Sequence, residues 1–324
     1  MSELPSLVIE LANFLVPAGV FAIMALGLNI QWGHTGLFNA GVAAFFALGA
    51  YTAAILMTAP VPPQIFYAGH LGYSWPFVGA AAAAAAVSGL AGFLIALPLL
   101  RLRADYFAIA TLALAETVRL VINNAERWTG GSTGIYGVPR PFDAFTRGEP
   151  GLSLVYMAIL CVSILLLLIL AVDYITRTPW GRVLRGIRED EEATLALGKN
   201  VNRFRLQAFV IGCMIMGLAG AIYASLLRFV APSQFDPLAT FTIYVMVILG
   251  GSGNNKGVVV GAFLFYAFDW VSVRLDDGLP PDWALRFPNI RLMIIGVILV
   301  AFIIFRPEGI FKEKKRVFPP VGSR

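Results

Sequence analysis

The glycine-rich stretch Gly250-Gly-Ser-Gly-Asn-Asn-Lys256 comes nearest to reactive chemistry, because its spacing approaches that of a phosphate-binding loop. Such a loop wraps backbone amides round a phosphate and needs a glycine directly before the lysine, where Asn255 stands. Nucleotide hydrolysis by this chain is therefore not expected. His34 and His70 are the two histidines, and neither has a His, Cys, Asp or Glu at the spacing that completes a metal site. No Gly-x-Ser-x-Gly elbow presents a nucleophilic serine. No catalytic residue, metal ligand or bound cofactor is expected.

Glu116 and Arg119 lie three apart in an otherwise apolar run, hence on one face of a helix. A charge inside a membrane span is a candidate for a transport path, and an i, i+3 ion pair near the outer end is the plain structural alternative. Asn29, Asn39, Glu116, Arg119, Gly250, Gly251 and Gly253 form the candidate path set, the glycines because half-helix ends at a broken span often line a substrate route. The plain alternative for the glycines is a tight turn between two short helices.

The densest charge lies between Asp173 and Arg228. Thr178 followed by Pro179 reads as a cap and a first helical residue. Val183, Leu184 and Ile187 then make an apolar stripe beside Arg182, Arg185 and Arg188. Asp190 is placed to cap a second helix whose first turn carries Glu191 and Glu192, where negative charge suits the helix dipole. Gly198 is a natural stop. A helix of about eight residues is roughly 12 Å long, a size that suits a peg held in a groove of another protein. The plain alternative is a solvated loop with no partner.

The elements that must position these residues are membrane spans. With 58% hydrophobic and 13% charged residues in 324, the chain has too little charge to cover a soluble core, since soluble domains average roughly 25%. The fold class is all-α, a polytopic membrane protein with about eight to ten transmembrane helices, one broken at the Gly-rich segment. A hydrocarbon core of about 30 Å needs roughly 20 apolar residues per helix, and the candidate spans are 7–30, 37–59, 75–100, 105–122, 152–175, 207–230, a broken region made of 238–249 and 258–271, and 290–305. The span at 105–122 is the weakest because of its two charges. Residues 1–324 are expected to form a single transmembrane domain, with a charged loop at 176–206 and a basic tail at 306–324.

Alternation of nine spans puts Arg101, Arg103, the central loop, Lys256 and the tail on one side. That side holds sixteen of the 24 lysines and arginines, against five in the opposite loops, so it is expected to be cytoplasmic, with the C-terminus there and the N-terminus outside. The first residues lack a basic signal-peptide start, so the first span is expected to be retained. The clustering of basic residues beside spans accounts for the net charge of +5 without nucleic acid. Cys161 and Cys213 lie inside apolar runs and are expected to pack as small residues.

Small residues recur at packing spacing: Gly217, Gly220, Ala221 and Ala224 on one span, and Ala43, Ala47, Ala50 and Ala54 on another. Leu48-Gly-Ala-Tyr51 with Ala59-Pro60 loosely echoes Ala219-Gly-Ala-Ile-Tyr223 with Ala231-Pro232, a faint internal repeat. The outside loop 123–151 is rich in turn residues and is expected to hold a short helix or surface element, either a dock for an external partner or a connector only. Arg228, near the outer boundary, is expected to snorkel.

Glu192-Ala-Thr194 followed by Gly198 resembles the Glu-Ala-Ala-x-x-x-Gly signature of ABC importer permeases, with Thr for the second Ala; the hydrophobic end of that signature is missing, with Ala208 and Val210 in its place. The text around it is more specific. Arg177-Thr-Pro-Trp-Gly-Arg-Val-Leu-Arg-Gly-Ile-Arg-Glu-Asp190, Gly217-Leu-Ala-Gly-Ala-Ile-Tyr223, Gly250-Gly-Ser-Gly253, Gly27-Leu-Asn-Ile30 and Phe45-Phe-Ala-Leu-Gly-Ala-Tyr51 resemble the branched-chain amino acid permease family in its LivM-like branch, over about residues 16–309. The resemblance implies a subunit of the bacterial inner membrane that works with membrane lipid around it, a LivH-like second permease, two ATP-binding subunits and a periplasmic substrate-binding protein. It implies that Arg182, Arg185, Arg188, Glu189, Asp190, Glu191, Glu192, Ala193 and Gly198 couple to the ATPases. The family's urea and amide importers leave the substrate open. An ion-coupled secondary transporter is the rival class, for which Glu116 is the best mid-membrane candidate.

Overall fold

The computed structural model describes residues 6–60, 72–143, 145–146, 149–276, 287–306 and 308–312. His70, Arg147, Arg286 and the part of the basic tail beyond Lys312 lie outside the described residues.

Among the described residues, nine long helices occupy the nine apolar runs. They are α1 (Ser6–Leu28), α2 (Val42–Met57), α3 (Phe77–Leu99), α4 (Ala104–Asn124), α6 (Pro150–Arg177), α9 (Val201–Leu227), α10 (Pro237–Gly250), α11 (Asn255–Asp276) and α12 (Phe287–Phe305). Three short ones lie between them: α5 (Glu126–Thr129), α7 (Pro179–Glu189) and α8 (Glu191–Ala196). Among the described residues, six segments are long and apolar enough to cross a membrane, namely those built on α1, α3, α6, α9, α10 and α11. α2 is apolar but only 16 residues long, and α4 carries Glu116 and Arg119. The weak span of the sequence is thus a helix whose outer half is charged.

α9 is the centre of the bundle, and small residues explain why. A Cβ added at Gly49 would lie 2.1 Å from the carbonyl oxygen of Gly217, and one at Gly220 would lie 2.3 Å from that of Phe46. The stripes on α2 and α9 therefore face each other at backbone contact, the close approach that makes up for the missing hydrophobic drive in lipid. These are also the two segments of the faint repeat, and they run parallel. α3 crosses the other side of α9 with Gly92 against Cys213. Gly19 of α1 meets Cys161 of α6 in the same way. Both cysteines are buried and free, filling the gaps that those glycines leave.

The remaining helices alternate in direction. α1 antiparallels α11, with Phe14 against Tyr266 and Trp270. α10 antiparallels α11 through Gly250, Gly257 and Gly261, so the Gly-rich segment is a tight turn between two helices. Gly251 and Gly253 take φ values of +104° and +84° there, which residues with a Cβ rarely adopt. The backbone amides of Ile310 and Phe311 bond to the carbonyls of Leu249 and Gly250, which holds the start of the tail against the same turn. Arg101, the charged loop, Lys256 and Lys312 consequently share one end of the bundle.

At the opposite end the loop after α4 is ordered by α5, a 3-10 turn at Gly131–Thr133 and a two-residue strand, β1 (Ile135–Tyr136), paired antiparallel with β2 (Phe229–Val230). Arg228 does not simply snorkel. It closes α9 at φ +59° and pairs with Asp143, while its carbonyl accepts from the amides of Gly137 and Val138.

Candidate functional site

The polar groups of the membrane interior collect at the end of the bundle that carries the charged loop. α1 does not simply stop there. Its last turn widens into a π-turn, Asn29–Gly33, which loosens the backbone pattern and re-aims side chains. Gly36, at φ +74°, then turns the chain back, and α2 begins only at Val42. Residues 36–41 therefore run as a non-helical return inside the bundle, tolerable in a membrane only because its polar groups find partners in the protein.

Those partners come from four elements. The Asn29 Nδ2 donates to Asn255 Oδ1 at 2.8 Å, and Asn29 Oδ1 accepts from the Gly253 amide at 2.8 Å. His34 Nε2 lies 3.1 Å from the same Asn255 oxygen and donates to it, since a carboxamide oxygen only accepts. Asn255 Nδ2 donates in turn to Asp173 Oδ1 at 2.7 Å and to Thr176 Oγ1 at 3.3 Å, both near the end of α6. Gly33 packs directly on the Gly-rich turn, where an added Cβ would lie 2.6 Å from the Gly253 amide nitrogen. Arg188 of α7 donates to the Gly33 carbonyl. One turn of backbone thus joins α1, α6, α7 and the α10–α11 turn.

A second set of polar groups surrounds Gln31. Gln31 Nε2 donates to the Phe209 carbonyl at 2.8 Å, and Gln31 Oε1 accepts from Asn39 Nδ2 at 2.8 Å. Tyr244 of α10 donates to the Asn39 carbonyl at 3.0 Å. Asn29, Gln31 and Asn39 are wholly buried.

Of the candidate path residues, Asn29, Asn39, Gly250, Gly251 and Gly253 are therefore brought into this junction. Glu116 and Arg119 are not. They form an ion pair at 2.8 Å on a partly exposed face of α4. The sequence reading missed Gln31, His34, Thr176 and above all Asn255 as members of the junction. Asn255 was noticed only for spoiling a phosphate loop, although a carboxamide placed among glycines in an apolar run is itself a signal of a buried hydrogen-bonding role.

The charged loop divides as its caps predict, with one correction. Thr178 precedes α7, but its hydroxyl donates back to the Ile175 carbonyl at 2.6 Å and caps no amide. The apolar stripe of α7 faces this chain, with Leu184 and Ile187 buried. Trp180 Nε1 ties α7 to Gln207 Oε1 at 2.9 Å, and Arg185 reaches the Thr176 carbonyl at 3.4 Å. α8 is the exposed member. Asp190 Oδ1 caps it by accepting from the Ala193 amide at 2.9 Å, and Gly198 at φ +74° ends it. Glu191 is tied down by Arg205 through two bonds of 2.8 Å, which leaves Glu189, Glu192, Ala193, Leu195 and Leu197 on the surface, Leu197 at 78% exposure. Arg182 is exposed as well.

Comparison with known proteins places the chain among transport permeases. Residues 10–303 match the family described as "Branched-chain amino acid transport system / permease component". The chain is 30% identical over 311 residues to the high-affinity branched-chain amino acid transport system permease protein LivM of Escherichia coli (strain K12), covering 90% of this chain and 67% of that protein. It is 28% identical over 339 residues to the probable branched-chain amino acid transport permease protein LivM of Methanocaldococcus jannaschii, covering 94% of each. It is also 32% identical over 210 residues to the autoinducer 2 import system permease protein LsrC of Enterobacter sp. (strain 638), covering 62% of this chain and 56% of that protein. No solved structure matches.

Proposed function

The chain belongs to the family of branched-chain amino acid transport permease components, and from that premise we propose that it is the LivM-like subunit of an ATP-driven importer of branched-chain amino acids. The observation that carries this reading is 30% identity to a LivM protein across 90% of the chain. In the proposed assembly it sits in the bacterial cytoplasmic membrane with the charged loop and C-terminus inside. It pairs with a LivH-like permease, two ATP-binding subunits and an external binding protein.

α8 is the part offered to the ATPases, with Glu192, Ala193, Leu195 and Leu197 outward. α7 passes the movement on, because it is fastened to α6 and α9 by its buried stripe and to the α1 break by Arg188. Asn255 then links α6 to the α1 break and the α10–α11 turn, so that displacement of α7 is felt by three helices at once. A permease moves its substrate unaltered and needs no nucleophile, which suits a junction made of carboxamides, hydroxyls and glycines.

The test is uptake of labelled leucine into vesicles holding the complete assembly. Uptake that requires ATP and the binding protein supports the reading. Uptake that persists without ATP and collapses with an ion gradient overturns it. ATP-dependent uptake of urea, an amide or autoinducer 2 with no uptake of leucine, isoleucine or valine overturns the substrate alone.

A further inference from the structure

At the charged-loop end, the foot of α3 and the start of α9 enclose a cleft of about 300 Å³. Its apolar walls include Leu97, Leu100 and Leu206, and its polar rim includes Arg101, Asn202 and Arg203. Antiparallel packing of α3 and α9 produces the cleft. α3 ends at Leu99 in a tight turn, closed by the bond from the Leu102 amide to the Leu99 carbonyl, which swings Arg101 outward. α9 begins at Val201 behind its cap, Asn200, and places Arg203 in its first turn. Neither guanidinium has an acidic partner among the described residues, whereas nearby Arg205 is held by Glu191 and Arg177 by Asp173. Leu97 is half exposed, on a face of α3 that continues through Leu90, Phe93 and Leu94 along the apolar outside of the bundle.

We propose that this cleft holds an anionic phospholipid, with its phosphate between Arg101 and Arg203 and the upper part of an acyl chain along Leu97, Leu100 and Leu206. Two unpaired cations at the edge of an apolar surface match the amphipathic shape of such a lipid. The apolar walls have no role for a free phosphate, and the cations have none for a neutral lipid tail. Arginine suits the task because its planar fork meets phosphate oxygens in pairs. The inference needs only that the chain spans a membrane and does not rest on the substrate or on the ATPases.

The experiment is native mass spectrometry of the full-length protein in detergent, offered equal amounts of phosphatidylglycerol and phosphatidylcholine with identical acyl chains. Retention of phosphatidylglycerol in preference is expected. The double variant Arg101→Gln/Arg203→Gln should lose roughly twenty-five-fold in that preference, from a factor of roughly fivefold per cationic side chain. Leu97→Trp, which fills the cleft and keeps both charges, should also lower retention. Inorganic phosphate at millimolar concentration should displace nothing. Equal retention of the two lipids by the unaltered protein, unchanged preference in the double variant, or displacement by inorganic phosphate would overturn the proposal, the last in favour of a free-anion site. If the double variant does not fold, a preference in the unaltered protein that weakens as salt rises supports the site, and one indifferent to salt overturns it.

Discussion

The carboxamides of Asn29 and Asn255 meet at 2.8 Å although 226 positions separate them, and through that contact a break in the first helix is bonded to the turn between α10 and α11. Replacing Asn255 with Leu would remove the buried acceptor shared by Asn29 and His34 and one donor to the partly buried Asp173. A buried polar group deprived of its partner costs about 1–3 kcal/mol. Asn255→Leu is expected to lower the thermal unfolding temperature in detergent and to abolish most uptake, while the ATPase subunits still co-purify. Full uptake by this variant would remove Asn255 from the transmission path.

Glu191 and Glu192 are neighbours with different work. Glu191 holds the loop to α9 through Arg205, and Glu192 faces outward. Glu192→Lys should therefore weaken ATPase association with little change in thermal stability. Glu191→Ala should lower the protection of residues 190–200 from proteolysis in the isolated subunit. Identical behaviour of the two variants would contradict this division.

Gly198 stands at φ +74° with open space about its α-carbon. Proline, fixed near −65°, forces a different path for the chain leaving α8. Gly198→Ala has room but meets the left-handed backbone cost of about 1–2 kcal/mol. Co-purification of the ATPases is expected to fall for Gly198→Pro and to fall less for Gly198→Ala.

Gly49 and Gly217 touch backbone to backbone, so any side chain at Gly49 must separate α2 from α9. Overpacking typically costs about 1–3 kcal/mol, and here the obstacle is a carbonyl rather than a movable side chain. Gly49→Val should yield little monodisperse protein on size exclusion. Normal yield and stability would mean that the stripe tolerates separation.

Asp143, in the outer loop, titrates below the ordinary carboxylate range. Burial opposes its ionisation, but the Ser153 hydroxyl, the Arg140 amide and the charges of Arg228 and Arg140 outweigh that burial. A depressed carboxyl stabilises the fold at pH values above the unfolded pKa of about 4, and this contribution disappears as pH falls through the lower folded value. The thermal stability of the native protein should exceed that of Asp143→Asn at pH 7, and the difference should shrink as pH is taken below about 4. A constant difference would mean that ionisation of Asp143 plays no part.

The helical bundle was legible because lipid enforces it. A chain this apolar, cut into runs near 20 residues by glycine, proline and charge, has few ways to satisfy its backbone except as helices. The caps of α8 were legible for a similar reason, since Asp190 and Gly198 act on residues beside them in the chain. α7 was only half legible. Its stripe is plain in the sequence, but whether Leu184 and Ile187 face a partner or this chain depends on where α6 and α9 stand.

The alternation of spans, the grouping of basic residues at one end and the small-residue stripes were thus determined by the sequence alone, through spacing and composition. The tertiary structure decided that Asn29, His34, Asp173 and Asn255 converge and that Glu116 and Arg119 stand apart. It also decided that Arg101 and Arg203 share a cleft. The reason is physical: a hydrogen bond acts over about 3 Å, and which distant residues come that close depends on helix contacts that carry no mark in the local sequence.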